Sequence, residues 1–272
     1  MSMRVRHFRK CTCLCLLFVA AATSACVSTA EQQAAQKPVN EQSRFLRVAR
    51  DLDAKGESGT ALALYERAAQ MSGADATIQV KLGNARLKAG DTDGAEKAFR
   101  SALQINPQDT TALLGLGTLQ LQRGDPAAAA RTLAPAAEAL NAVSAYNKLG
   151  TALVLSGNAA AAERAFTKAL TLQPGNLDTK TNLALAQALS NKLPDASAGM
   201  NSVVASPLAE KRHFVNYMII LSMSGDLARA RAIAVPDMTE SQKSQILAKA
   251  SKLHSIQDPT KRAQAIGLLA SA

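Results

Sequence analysis

The strongest constraint on this chain is a spacing. Glycine stands at Gly56, Gly90, Gly124, Gly157 and Gly225, with Asn191 in the same series, and the intervals are 34, 34, 33, 34 and 34 residues. Five positions after each comes an alanine: Ala61, Ala95, Ala129, Ala162, Ala196 and Ala230. Seven positions before each stands a small residue in five of six cases, Ala49, Gly83, Gly117, Gly150 and Ala184, and then Met218. Nine positions after each lie Tyr65, Phe99, Leu133, Phe166, Met200 and finally Ala234. A fixed period of this length means a stack of similar units, each burying its apolar face against its neighbours. The closest copies are KLGNARLKAGDTDGAEKAFRSALQINP (81–107) and KLGTALVLSGNAAAAERAFTKALTLQP (148–174).

Each slot has a physical reading as helix A, turn, helix B. Gly56 and its equivalents close helix A, where a left-handed residue is needed and glycine adopts it without Cβ strain. Asn191 tolerates the same conformation. Asp91, Asp125, Asn158 and Asp226 follow and suit the next helix start. Gly83, Gly117 and Gly150 in helix A, with Ala95, Ala129 and Ala162 in helix B, mark where the two helices cross, since bulk there would push them apart. The large residue fills the groove beside that contact. Pro107 and Pro174 end helix B.

Composition agrees with helices. Hydrophobic residues make up 47% of the 272, aromatics only 3%, and Trp is absent. That apolar fraction excludes wholesale disorder and favours Ala- and Leu-mediated helix packing over a β-sandwich. The period and slots resemble the tetratricopeptide repeat (TPR). The resemblance implies an all-α fold: an α-solenoid of about six TPR helix-turn-helix units at 42–75, 76–109, 110–142, 143–176, 177–210 and 211–244. Unit six exchanges its small residue for Met218 and its large one for Ala234, which predicts a different packing there. Pro236 shortens its helix B. Thr239 and Gln242 form a capping box opening a further helix through about Leu253, and Asp258–Pro259 opens a last one. Residues 245–272 thus read as capping helices over the end of the stack.

The first residues read as an address. MSMRVRHFRK (1–10) is positively charged, CTCLCLLFVAAA (11–22) is apolar, and Thr23, Ser24, Ala25 and Cys26 follow. This is the layout of a secretory signal over 1–25, and its apolar part is shorter than the roughly twenty residues a membrane span needs. The position of Cys26 resembles a bacterial lipoprotein signal, with Thr23 where that pattern has Leu. The resemblance implies lipid attachment at Cys26 and, since Val27 is not Asp, anchorage at the periplasmic face of the outer membrane of a Gram-negative bacterium. Ordinary cleavage after Ala25 or Ala22 is the other reading. Residues 26–41 then form a flexible tether. Cys11, Cys13 and Cys15 act as small hydrophobes within the apolar run. No cysteine follows Cys26, so the body has no disulfide framework and no Cys-ligated metal.

Neither charge nor motifs point to chemistry. The formal charge of +10 falls to +6 without Arg4, Arg6, Arg9 and Lys10 of the address. Single-strand binding would also want stacking aromatics, so nucleic acid is not an expected partner. Beyond the address only His213 and His254 remain. No G-x-S-x-G elbow, phosphate loop or H-E-x-x-H helix is present, and Gly115 with Gly117 belongs to a repeat helix. The expectation is a chain that is not an enzyme and takes no cofactor or metal. A curved stack of A helices offers a peptide-binding groove, predicted to be lined by Arg47, Arg50, Lys81, Asn84, Lys88, Asn147, Asn182 and Asn216. Such cations and amides recognise carboxylates or a peptide backbone. Alternatively they are a solvated face, or amides serving a neighbouring turn. Leu114, Leu121, Val154, Leu185 and Leu189 form an apolar strip that either takes partner side chains or belongs to the core between repeats.

The layout of signal, lipid Cys, polar tether and TPRs also resembles the TPR lipoproteins of tight-adherence (Tad/Flp pilus) secretion systems. So do TNLALAQALSNKLPDA (181–196), VNYMIILSMSGDLARA (215–230) and AIAVPDMTESQ (232–242). That resemblance implies a pilotin: a lipid-anchored escort for the outer-membrane secretin and other pilus-assembly components. Another periplasmic scaffold, for outer-membrane or cell-wall assembly, is the alternative.

Overall fold

A computed structural model describes residues 40–72 and 75–270. The expected signal and Cys26 lie outside these residues, as does nearly all of the tether. The described residues build antiparallel helix pairs and no strand. Unit one pairs α1 (Glu41–Ala54) with α2 (Ser58–Ser72), and unit two α3 (Ala76–Lys88) with α4 (Thr92–Ile105). Unit three pairs α5 (Thr110–Gln122) with α6 (Pro126–Leu140), and unit four α7 (Val143–Leu155) with α8 (Ala159–Leu172). Unit five pairs α9 (Leu177–Leu189) with α10 (Leu193–Val204), and unit six α11 (Lys211–Met223) with the short α12 (Leu227–Ala232). After them come α13 (Glu240–Ala250), a 3-10 turn at Leu253–Ser255, and α14 (Pro259–Ala270).

Local chemistry sets these boundaries. The turn glycines have φ between +75° and +84°, and Asn191 has φ +62°. There the chain reverses through a repeated bond to a carbonyl five residues back, such as Asp91 N–H to Arg86 (2.9 Å) and Asp226 N–H to Leu221 (2.9 Å), which satisfies an orphan carbonyl at the end of helix A. The residue after the turn caps helix B: Asp91 accepts from Gly94 N–H, Asp125 from Ala128, Asn158 from Ala161 and Asp226 from Arg229, at 2.8–3.2 Å. Thr239 and Gln242 close their capping box on α13. That helix stops at Ala250, short of Leu253, which instead starts the 3-10 turn with its side chain buried.

The crossing points explain the small residues. Ala95, Ala129 and Ala162 are fully buried. A Cβ on Gly83 would come within 2.7 Å of the Phe99 ring, one on Gly117 within 2.5 Å of Leu133, and one on Gly150 within 2.5 Å of Phe166. Each glycine of helix A therefore seats the large residue of its own helix B. Phe99 is also pressed from the next unit, where a Cβ on Gly115 would lie 2.5 Å away.

Unit six departs as its residues suggest. Ala234 lies beyond the end of α12, so the slot for a large helix-B residue is missing, and fully buried Met218 occupies the interior from the other side. Seven consecutive residues, Val215–Leu221 included, and Ser222 after them, are buried in α11. A helix apolar all round must be enclosed, and α11 is: α9, α10, α12, α13 and α14 all pack on it.

The last helices divide the capping role. α13 covers the end of the stack against α11 and α12. α14 does not extend that cap. It turns back and lies across α7, α9 and α11, the A helices of units four to six. Ala263 and Ile266 of its apolar stripe are buried there.

Polar contacts also join successive units. Asp178 of α9 takes Arg212 Nε at 2.9 Å and His213 Nε2 at 3.0 Å, both from α11. The Glu210 amide donates to His213 Nδ1 at 2.8 Å, so Nε2 carries the proton and donates to Asp178. The hydrogen bond from Arg212, helped by His213, holds the Asp178 carboxyl below its usual range against the opposing effect of burial. A carboxyl depressed in the folded state adds stability above its unfolded pKa and loses it as pH falls through the folded value. Asp178→Asn should therefore flatten the acid limb of stability below about pH 4. Urea midpoints across that range test this, and parallel curves for the two proteins would refute it.

Candidate protein-binding groove

From unit two on, the A helices of successive units touch one another directly, α3 with α5, α5 with α7, α7 with α9 and α9 with α11, while among the described residues no B helix packs comparably on the next B helix. Elements closest together lie on the inside of a curve, so the A helices form the concave face. The eight polar residues expected there fall into three groups.

The first group lies on units one and two. Arg47, Arg50 and Asn84 are exposed and Lys81 is half-buried. Arg47, Arg50 and Lys81 make no ion pair among the described residues. Lys88 differs, because its Nζ meets Asp53 Oδ2 at 2.6 Å and so links α3 to α1. Burial, with Asp53 nearby, pushes the Tyr65 hydroxyl up, opposed by Lys88 and Arg50. This end of the groove is cationic and open.

The second group is one residue. Asn147 exchanges hydrogen bonds with Thr179 of the next A helix at 2.8 and 3.1 Å, so its amide joins units four and five. Thr179 is fully buried. Asn147 thus serves its neighbour. Leu114 and Leu121 likewise pack into the core around Leu133, Tyr146 and Leu149.

The third group lies toward α14. Asn182 lines a cleft of about 140 Å³ together with Val154, Leu155, Leu185 and Leu189 on one side and Ala263, Ile266 and Gly267 on the other. Three of the five strip residues therefore face the protein's own last helix. Asn216 is buried, and its Oδ1 has no hydrogen-bond partner among the described residues. As a residue lining an open groove, Asn216 is corrected by this burial: α11 is enclosed on every side.

Among the described residues no group of His, Cys, Asp or Glu is placed to hold a metal ion, and no helix is long and apolar enough to cross a membrane. Sequence reasoning missed the return of α14 into the groove. Its only signal is Pro259, Ala263 and Ile266, four and three residues apart, which makes one helical stripe but names no surface.

An array of A–B helix pairs with a concave A face defines a helical-repeat protein. Over residues 46–176 the repeats are tetratricopeptide repeats: models described as Tetratricopeptide repeat match residues 46–110, 86–153 and 143–176. No curated protein sequence matches the chain. Solved structures match its fold. One is MamA 41-end from Desulfovibrio magneticus RS-1, with a TM-score of 0.57 and 19% identity, covering 61% of this chain and 94% of that one. A MamA RS-1 ArsTM double mutant matches with a TM-score of 0.58 and 20% identity, covering 61% and 94%. YrrB, described as a TPR protein with an unusual peptide-binding site, matches with a TM-score of 0.56 and 22% identity, covering 64% and 90%. At these identities the likeness is one of fold.

Proposed function

We propose that this chain is a non-enzymatic binding scaffold that holds a carboxylate-bearing segment of a protein partner in the open, cationic half of its groove. The observation that carries this reading is the set Arg47, Arg50 and Lys81 on one concave face, with no ion pair among the described residues. Guanidinium groups left without carboxylates are suited to bidentate capture of carboxylates from outside. The peptide-binding description of YrrB supports such a use of the groove.

The finer reading is a pilotin of a tight-adherence pilus system, lipid-anchored through Cys26 at the periplasmic face of the outer membrane. What supports it is the order of residues 1–41 and the likeness of segments 181–196, 215–230 and 232–242 to such lipoproteins. The mechanism is one of concentration. The anchor confines the groove to a surface, which raises the local concentration of any secretin segment it holds.

Capture of the secretin from envelope extracts of cells carrying the pilus genes tests this. The wild-type chain should retain the secretin. Arg47→Glu with Arg50→Glu should lower recovery at least tenfold, because like charges now face the segment's carboxylates, while helical circular dichroism stays unchanged. Cys26→Ser should move the chain from membrane to soluble fractions. Equal recovery by the charge-reversed chain removes these arginines from the site. Recovery of a different envelope assembly protein in the secretin's place favours the other periplasmic scaffold.

A further inference from the structure

We propose that the half of the groove over units four to six is a binding site for an amphipathic helix, and that α14 is its resident occupant, which a partner helix must replace. This deepens the binding function proposed above and rests on it. The seat is already filled by a helix of this chain, so its chemistry can be read from that occupant. Ala263 and Ile266 of α14 are each 3% exposed, while Lys261 and Gln264 on the other side are exposed. Ile266 joins the same apolar cluster as Val215 and Ile219 of α11. At the other end, a Cβ on Gly157 would lie 3.0 Å from Thr260 Oγ1 and 3.4 Å from Pro259 Cβ, so the helix starts against the turn of unit four.

A cleft remains beside the described side chains of the occupant. Gly267 lines the cleft, and a Cβ there would meet no atom within 4 Å. Leu155, Leu185 and Leu189 therefore line space that Ala263, Ile266 and Gly267 leave open. A glycine inside a helix also weakens the helix itself. Among the described side chains of α14, Ile266 is the one branched residue buried deeply. A helix carrying branched apolar residues at the registers of 263, 266 and 267 would bury more surface in the same place and displace it. A ligand that binds only the open form is weakened by the fraction of chains that are closed, so α14 sets how strongly this half of the groove is available.

The probe is a fluorescein-labelled peptide copying residues 257–270 with Gly267→Leu, titrated into the full chain and read by anisotropy. Ile266→Asp, which releases α14, should tighten binding at least tenfold relative to wild type. Gly267→Ala, which stiffens α14, should weaken it about threefold or more. With saturating peptide on the wild-type chain, hydrogen exchange should rise at residues 260–270 while α9 and α11 stay protected. The wild-type exchange measurement decides the matter even if Ile266→Asp loses helicity. Equal binding by all chains, or no change in exchange at 260–270, overturns the proposal. Arg47 and Arg50 lie in the other half, so loss of secretin capture and failure of helix exchange are separate results.

Discussion

Phe99→Ala should lower the stability of this protein by about 3–5 kcal/mol, the cost of deleting a fully enclosed ring. The more telling result is what happens to the glycines that hold the ring. In the wild-type chain Gly83→Ala and Gly115→Ala each force a Cβ to within 2.8 Å of Phe99. The ring is 0% exposed and cannot swing aside, so each substitution should cost about 1–3 kcal/mol by overpacking. With Phe99→Ala in place the obstruction is gone. The intrinsic preference for alanine over glycine in a helix, about 1 kcal/mol, should then show through and make Gly83→Ala neutral or stabilising. Urea denaturation of the four chains in each cycle measures this. Additive costs would mean that the glycines do not seat the ring.

Ile220→Ala should cost about 2–5 kcal/mol, a full core penalty from a unit near the end of the array. A terminal repeat ordinarily has one neighbour and frays. Here α11 carries Met218, Ile219 and Ile220, each fully buried, because α13 covers it from the end and α14 from the concave side. The same enclosure predicts that amides of α11 exchange as slowly as those of α7 in the middle of the stack. A loss below about 1 kcal/mol, the usual scale for a surface position, would show that the C-terminal helices do not enclose unit six.

Features set by one residue and its own backbone were legible in the sequence. A left-handed turn needs Gly or Asn, and all six positions in the series have positive φ. A helix start needs a short acceptor, and Asp91, Asp125, Asn158 and Asp226 cap as their spacing implies. Gly83 and Gly150 were legible as close-approach points because only a missing Cβ explains a recurrent glycine inside a helix. Met218 and Ala234 signalled altered packing by their exchanged volumes, although not that Ala234 would leave the helix altogether.

Long-range choices were hidden. The stripe of α14 is satisfied by any apolar surface, and the competition between the end of the stack and the groove depends on shapes assembled from units four to six. Asn147 looked like a groove residue because its register is right, yet Thr179, 32 residues on, offers a hydroxyl that its amide takes first. Lys88 has the same history with Asp53. Arg47 and Arg50 stayed in the open because no acid of the next unit comes to meet them.

The central claim is that this protein works by holding a partner along its concave face. Photo-crosslinking in cells tests it most directly, with a crosslinking amino acid placed at Arg50 in α1 and, separately, at Lys168 on the exposed side of α8. The account predicts a discrete crosslinked protein from position 50 and none from position 168. A partner captured from position 168 alone would place binding on the outer face and contradict it.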